Sequence, residues 1–136
     1  QRFPVSLEVQ LLGANGDNDV RPTGNVCTPG SHINIDGVKI TKHCVLSASA
    51  TFPGAQWVDI EITVQGSELI AHAINGKEVL SYSNPTLDEK HQNLLSLYGD
   101  TTMHSGFIAI QAENSTVQFK SIEIMPLGYV PSEKED

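Results

Sequence analysis

Basic residues are scarce in this chain, and their scarcity excludes one class of partner. Lysine and arginine together number 8 against 16 aspartates and glutamates, which gives a net charge of −8. Nucleic-acid binding draws on clustered Lys and Arg, whereas the densest basic pair in the middle of this chain is Lys39 with Lys42. The sequence therefore predicts no nucleic-acid partner, and its acidity mainly favours solubility.

Long apolar runs are also lacking. No stretch approaches the roughly 20 apolar residues that cross a bilayer, so we expect no membrane span. The start of the chain lacks a basic segment followed by an apolar one, so we expect that a secretion signal was removed or never present. Hydrophobic residues make up 39% and charged residues 18% of the 136 residues. This composition predicts one globular domain over residues 1–127, followed by a polar tail over residues 128–136.

Cysteine is limited to Cys27 and Cys44. Two cysteines allow one intrachain disulfide, which would place the chain in an oxidising compartment such as the periplasm or the extracellular space. The alternative is a pair of small buried thiols. A zinc site is disfavoured because the pair lacks Cys-x-x-Cys spacing.

Alternation of apolar and polar residues with a period of two is the dominant pattern. It predicts strands over residues 5–11 and 58–64, and Asp36-Gly37 and Asn75-Gly76 are typical two-residue hairpin turns. Further strands are predicted at residues 33–35, 38–40, 69–74, 79–82, 107–112 and 117–125. A single helix is predicted over residues 84–95, where Thr86 and Glu89 have the spacing of a capping box. The fold class is therefore all-β, an antiparallel two-sheet sandwich or jelly roll.

Polar side chains on the alternating strands are the candidate functional residues. Glu8 and Gln10 project from one strand face, about 7 Å apart, close enough for both to contact one small ligand or one cation. A solvated sheet face would show the same alternation. His72 shares the apolar face of Ile70 and Ile74, which suits either a hydrogen-bonded core residue or a titrating group. Other binding candidates are Arg21 in the long loop, Gln111 and Glu113 on a later strand, and Trp57 as a stacking platform whose alternative is packing.

Three stretches together resemble one family. They are residues 4–30, with Glu8-Val9-Gln10 and Arg21-Pro22-Thr23-Gly24; residues 57–76, where His72 precedes Asn75-Gly76; and residues 106–127, which begin Gly106-Phe107. In combination they resemble the 3-keto-disaccharide hydrolase family, whose fold is similar to concanavalin A-type lectins and glucanases. The resemblance covers about residues 4–127 and corresponds to the later two-thirds of the family domain. Lys120 stands where an arginine is more usual.

The resemblance implies a carbohydrate-active enzyme that cleaves glycosides oxidised to a ketone at carbon 3. A base would remove the acidic C2 proton and the C1 substituent would leave, with water addition completing an apparent hydrolysis. Glu8 or His72 would be the base, Gln10, Arg21 or a divalent cation would polarise the ketone, and Gln111 would position hydroxyls. Glu8, Gln10 and His72 are the candidate metal ligands, and no other cofactor is expected.

Two other functions remain open at this point. One is a non-catalytic carbohydrate-binding module of the lectin type, although aromatic residues make up only 6% of the chain. The other is a structural or interaction domain that completes its sandwich with a partner strand or a second copy, through an exposed sheet edge.

Overall fold

The regular structure is almost entirely β. The computed structural model describes residues 3–16, 18–113 and 115–128. The strands in this part of the chain are β1 (Glu8–Gln10), β2 (Asn25–Cys27), β3 (Ser31–Ile35), β4 (Val38–Ile40), β5 (Cys44–Val45), β6 (Ile60–Gln65), β7 (Leu69–Ile74) and β8 (Lys77–Leu87). A 3-10 turn (Gln92–Leu94) and a helix α1 (Leu95–Tyr98) follow β8.

The strands form two antiparallel sheets that pack face to face. The smaller sheet has the order β1-β2-β5, and the larger has the order β4-β3-β8-β7-β6. The core lies between them, where Val26 of the smaller sheet meets Ile33, Ile70 and Tyr82 of the larger. Burying each of these valine and isoleucine side chains stabilises the fold by about 1.5–3 kcal/mol. The predicted all-β, two-sheet sandwich is confirmed.

Two hairpins build the larger sheet, and both predicted hairpin turns are confirmed. Asp36 and Gly37 join β3 to β4 with φ values of 51° and 76°. Asn75 and Gly76 join β7 to β8 with φ values of 49° and 76°. Two consecutive positive φ values give a turn whose twist matches that of the flanking strands, and Asn, Asp and Gly adopt them at least cost. The meander β6-β7-β8 follows from the second hairpin.

The predicted helix over residues 84–95 is wrong in its first part. Strand β8 continues to Leu87, and Thr86 pairs with His32 of β3 instead of capping a helix. Main-chain pairing with β3, although interrupted by a register shift between His32 and Asn34, outweighs the local capping signal of one Thr and one Glu. The helical residues come later, in α1. In the described part of the chain, neither helical segment has the length and hydropathy needed to cross a membrane.

The smaller sheet differs from prediction in its boundaries. Only Glu8–Gln10 of the alternating residues 5–11 are paired as a strand. The long turn-rich segment before Gly30 contains β2, which the sequence did not predict. Strand β2 is fully buried and central in its sheet, so its sequence carries no period-two alternation of apolar and polar residues.

The chain divides into two units, residues 1–106 and residues 107–136. The described residues of the second unit include no strand, so the predicted strands at residues 107–112 and 117–125 are absent there. A strand needs a neighbouring strand for its ladder of hydrogen bonds, which alternation alone does not supply. Apolar side chains of this unit are exposed, among them Phe107, Ile108, Ile122 and Ile124. The prediction of one domain over residues 1–127 stays a prediction.

Strands β4 and β6 form the two edges of the larger sheet. Ile62 and Val64 of β6 alternate with Glu61 and Thr63, yet they remain 46% and 54% exposed. The smaller sheet has three strands against five, and its core contacts reach Ile70 of β7. Association through an exposed sheet edge stays a prediction.

Candidate functional site

Strand β1 carries Glu8 and Gln10 on the face of the smaller sheet that points away from the core. Val9 lies opposite Val26, and Val26 lies opposite Val45, which packs into the core. Side chains directly opposite one another share a sheet face, and neighbours along a strand point to opposite faces. Glu8 and Gln10 therefore project outward together, and both are half-buried.

A disulfide lies in the same row as Glu8. Glu8 is opposite Cys27, and Cys27 is opposite Cys44, to which its sulfur is bonded. The disulfide that the two cysteines allowed is present, with Cys27 only 1% exposed. It ties β2 to β5 across 17 positions of sequence. Strand β2, which pairs with Glu8, is thus held by a covalent bond as well as by the ladder.

The main chain around Gln10 is held by the buried segment that leads into β2. The carbonyl of Gln10 accepts hydrogen bonds from the N–H of Gly24 at 2.8 Å and from the hydroxyl of Thr23 at 3.4 Å. Thr23 Oγ1 in turn accepts the N–H of Leu12 at 3.0 Å. These contacts continue the β1–β2 pairing beyond the strand ends and fix the main chain at Gln10.

Asn25 is a residue of this region that sequence reasoning missed. It lies opposite Gln10 and is only 1% exposed. Its Nδ2 donates to the carbonyl of Pro22 at 2.8 Å, and its Oδ1 accepts the N–H of Ser47 at 2.8 Å. A buried amide with both ends satisfied stabilises two loops at once. The only signal in the sequence was its position next to the Thr23-Gly24 pair of the family-like motif.

Arg21 lies on the loop that precedes this segment. Its N–H donates to Thr51 Oγ1 at 2.9 Å, and its Nη1 donates to the carbonyl of Gly13 at 3.1 Å. Nε is 3.9 Å from the carboxylate of Asp19. The side chain keeps 32% of its surface exposed, so the guanidinium still presents donors to solvent. It is anchored at the end of the loop that extends β1.

His72 lies in the core, between the two sheets. It is 0% exposed, and Ile62 and Leu80 flank it on β6 and β8. Nδ1 is 2.7 Å from the carbonyl of Gly24, which only accepts, so Nδ1 carries the proton. Nε2 lies 3.0 Å from the hydroxyl of Tyr82 and accepts its hydrogen bond. Burial lowers the pKa of His72, and the hydrogen bond to Gly24 only partly offsets this effect. Both ring nitrogens are therefore engaged in a neutral imidazole.

Tyr82 is the second residue that sequence reasoning missed. It is 3% exposed, and burial raises the pKa of its hydroxyl well above the ordinary value, so the hydroxyl stays protonated and donates. Its ring meets the ring of His72 edge to face, with centroids 5.2 Å apart and an interplanar angle of 89°. The register of β7 and β8 shifts between His72 and Ala73. Because the sequence does not reveal this shift, the contact between His72 and Tyr82 could not be predicted from residue spacing.

Gly24 connects the buried His72 network to β1. Its φ is +72°, and a Cβ at this position would lie 3.0 Å from Cδ1 of Ile74 and 3.6 Å from Cγ2 of Val79. Both the left-handed backbone and the close approach of the larger sheet require glycine here. The N–H of Gly24 bonds to Gln10 and its carbonyl bonds to His72, so one residue links the two sheets.

The three candidate metal ligands do not converge on one point. Glu8 projects outward from the smaller sheet, whereas His72 lies on the inner side with both nitrogens engaged. In the described residues, one group of potential ligand atoms lies close together, namely those of Cys27, His43 and Cys44. The two sulfurs of this group are joined in the disulfide and are not thiolates. Neither Glu8, Gln10 and His72 nor the group of Cys27, His43 and Cys44 therefore fits a divalent metal.

The remaining binding candidates are exposed. Trp57 is 61% exposed, outside any strand, ahead of β6. Gln111 and Glu113 are exposed residues of the second unit. A stacking role for Trp57 and hydroxyl contacts for Gln111 and Glu113 stay predictions.

Comparison with known families identifies the chain. The sequence model of the 3-keto-alpha-glucoside-1,2-lyase-like domain matches residues 1–125, which include the Glu8-Val9-Gln10 strand, Gly24 and His72. No curated protein and no solved structure gives a match. The matched region covers nearly all of the 136 residues, and the two antiparallel sheets agree with the concanavalin A-like fold expected for this family. The chain belongs to the 3-keto-alpha-glucoside-1,2-lyase-like domain family.

Proposed function

We propose that this protein cleaves 3-keto-glycosides by elimination across C1 and C2 of the oxidised sugar, with Glu8 as the general base. One observation supports this proposal above the others. In a chain of a 3-keto-glucoside lyase-like family, Glu8 and Gln10 lie side by side and half-exposed on an outward sheet face. The disulfide and the Asn25 hydrogen bonds hold β2, the neighbouring strand, in place beside them.

The chemistry needs one base and one electrophile. A ketone at C3 acidifies the C2 proton, because its removal gives an enolate. The electron pair of the C2–H bond then forms the C1–C2 double bond, and the C1–O bond breaks as the leaving group takes up a proton. Water addition to the resulting enone completes an apparent hydrolysis. A positioned base contributes about 10²–10⁴-fold to such a step, and donors aimed at the enolate oxygen add a comparable factor.

Gln10 and Arg21 supply the donors in this proposal. Gln10 is two residues from Glu8 on the same strand face, about 7 Å away along the strand, which is the span of one sugar ring. Arg21 is held by Gly13 and Thr51 at the loop that extends β1, with part of its guanidinium exposed. Trp57, Gln111 and Glu113 remain candidates for further contacts with the sugar.

His72 takes no part in proton transfer in this proposal. Its Nδ1 proton is bound to Gly24 and its Nε2 lone pair is bound to Tyr82, so neither nitrogen is free for a substrate. Its burial between the sheets keeps solvent and sugar away. Glu8 is thus favoured over His72 as the base, and His72 is assigned to holding Gly24, and through it Gln10, in place.

The location we propose is the periplasm or the extracellular space. The Cys27–Cys44 disulfide supports it, because such bonds persist in oxidising compartments and are rare in the cytosol.

The test is turnover of a 3-keto-glucoside by the wild type and by Glu8→Gln, which keeps the shape but removes the base. We expect Glu8→Gln to lower kcat by about 10²–10⁴-fold. Glu61→Gln is the matched control, because Glu61 is exposed on β6 of the other sheet. Equal activity in Glu8→Gln and wild type would refute the role of Glu8.

Two further arms of the experiment separate the alternatives. Saturable sugar binding without turnover by the wild type would replace the enzyme by a carbohydrate-binding module. Loss of turnover on adding a chelator would show that a metal takes part and that the Glu8, Gln10 and Arg21 scheme is incomplete. Circular dichroism of each variant checks that the fold is retained.

A further inference from the structure

A small cavity lies beside the hairpin turn between β7 and β8. Its volume is about 290 Å³. Two segments line it, the loop after β5 and the turn between β7 and β8. The lining residues are Ala48, Ser49, Ala50, Phe52, Ile74, Asn75, Lys77 and Val79.

The floor and walls of this cavity are apolar and fixed. Ile74 and Val79 are only 4% and 8% exposed. The N–H of Ala48 donates to the carbonyl of Val79 at 2.8 Å, which ties the loop to β8. The carbonyl of Phe52 accepts the N–H of Ala14 at 3.1 Å, which ties the same loop to the segment after β1. A cavity whose walls are held before binding loses little entropy when a ligand enters.

The rim of the cavity presents hydrogen-bond donors. Lys77 lies directly opposite Ile74 in the β7–β8 register, so its side chain is on the cavity side of the sheet. Its ammonium forms no ion pair with any residue that the structure describes. Oδ1 of Asn75 already accepts the N–H of Asp59 at 2.9 Å, so the amide NH₂ is the group left to donate.

The rim of the cavity carries no carboxylate. Glu78 pairs with Ala73 and so projects from the other face of the sheet. The hydroxyl of Ser49 donates to the carbonyl of Ala50 at 3.1 Å, so Ser49 contributes a neutral oxygen and no charge. None of the lining residues is an acid. Although the protein as a whole carries a net charge of −8, the rim has a lysine and no acid. The rim therefore favours an anionic group.

We propose that this cavity binds a small aromatic carboxylate. The ring would pack against Phe52, Ile74 and Val79, and the carboxylate would accept hydrogen bonds from Lys77 Nζ and Asn75 Nδ2. A cavity of about 150 Å³ holds benzene. The volume here, about 290 Å³, suits a single ring that carries a short acid chain. None of the lining residues is Glu8, Gln10 or Arg21, and the proposal does not depend on the proposed lyase activity.

The test is a titration with 3-phenylpropionate, followed by ¹H–¹⁵N correlation spectra of the full chain. We expect saturable shifts at the amides of Ala48, Ala50 and Val79, and no shifts at Glu8 and Gln10. The neutral amide 3-phenylpropionamide should bind about tenfold more weakly, because it cannot form the charge-assisted bond to Lys77.

Variants make the assignment sharper. Lys77→Met should weaken 3-phenylpropionate binding by about tenfold and remove the preference over the amide. Lys42→Met, which removes another exposed lysine, should leave both affinities unchanged. Ala50→Leu should reduce binding of both compounds by filling the cavity. Turnover of a 3-keto-glucoside should be the same in Lys77→Met as in wild type, which separates this site from the proposed lyase site.

Three results would overturn the proposal. The first is the absence of saturable shifts at the cavity. The second is equal affinity of the wild type for the carboxylate and the amide. The third is an equal loss of affinity in Lys42→Met and Lys77→Met, which would indicate attraction by general charge alone.

Discussion

The hydrogen bond between Tyr82 and His72 offers the most direct test of how the two sheets are held together. Substituting Tyr82→Phe removes one oxygen and keeps the ring that packs edge to face against His72. Nε2 of His72 then loses its partner, the Tyr82 hydroxyl at 3.0 Å, in a side chain that is 0% exposed. Among the described residues, the Tyr82 hydroxyl is the hydrogen-bond partner of Nε2, and the bond from Nδ1 to Gly24 keeps the ring from turning toward another partner.

The expected loss follows from the cost of a buried polar atom without a partner. That cost is about 1–3 kcal/mol of unfolding free energy. For a domain of this size it corresponds to a decrease in Tm of about 3–5 °C for each kcal/mol. The aromatic contact survives, so the loss should not approach the larger cost of a truncated core side chain.

Urea denaturation monitored by fluorescence and circular dichroism measures this loss. The midpoint should fall while the slope with denaturant stays unchanged, since the surface exposed on unfolding is nearly the same. Ser81→Ala is the matched control, a half-buried neighbour on the opposite face of β8, and it should change stability by less than about 0.5 kcal/mol. A Tyr82→Phe variant as stable as Ser81→Ala would refute the reasoning.

Two further predictions concern pH and the disulfide. Burial lowers the pKa of His72 in the folded protein, so its stabilisation is complete above the unfolded value of about 6.5 and is lost as the pH falls below it, by up to about 1.4 kcal/mol per pH unit. Unfolding measured from pH 7.5 to 5.0 should show this slope in wild type and not in His72→Gln; equal slopes would contradict it. Burial raises the pKa of Asp88, but its hydrogen bonds with His91 and Lys90 lower that pKa by more. The contribution of Asp88 to stability is therefore lost only below about pH 4, outside the range of this measurement. The double variant Cys27→Ala, Cys44→Ala should lose about 3 kcal/mol relative to the disulfide-bonded wild type, because a loop closed across 17 positions is released. Urea denaturation of both proteins without reductant measures this loss; no loss would show that the ladder alone holds β2 to β5.

Local patterns in the sequence were enough to predict the two hairpins of the larger sheet. Strand β7, Leu69–Ile74, has the bounds that alternation predicted, and both hairpins turn at Asp36-Gly37 and Asn75-Gly76. These features depend on neighbouring residues alone, since alternation sets the face of each side chain and a two-residue turn sets the register. The family was likewise evident from short motifs, of which Glu8-Val9-Gln10 also defines the candidate site.

The strand and helix predictions that were wrong depended on pairing between strands that are distant in the sequence, which local alternation and capping patterns do not reveal. Strand β8 extends to Leu87 because β3 pairs with it, which no pattern near Thr86 reveals. Residues 107–112 alternate like a strand but are not one, because a strand requires a neighbour. Strand β2 was missed because it is buried on all sides and shows no alternation.

The sequence by itself determined the fold class, the hairpins and the outward pair Glu8 and Gln10, because each follows from residues close in the chain. Only the tertiary structure decided the environment of His72, which the sequence left open between a core residue and a functional one. Its partners lie 48 and 10 positions away, Gly24 in the segment that leads into β2 and Tyr82 on β8. Hydrogen bonds between such distant positions depend on how the two sheets pack, and packing is not encoded in any local period.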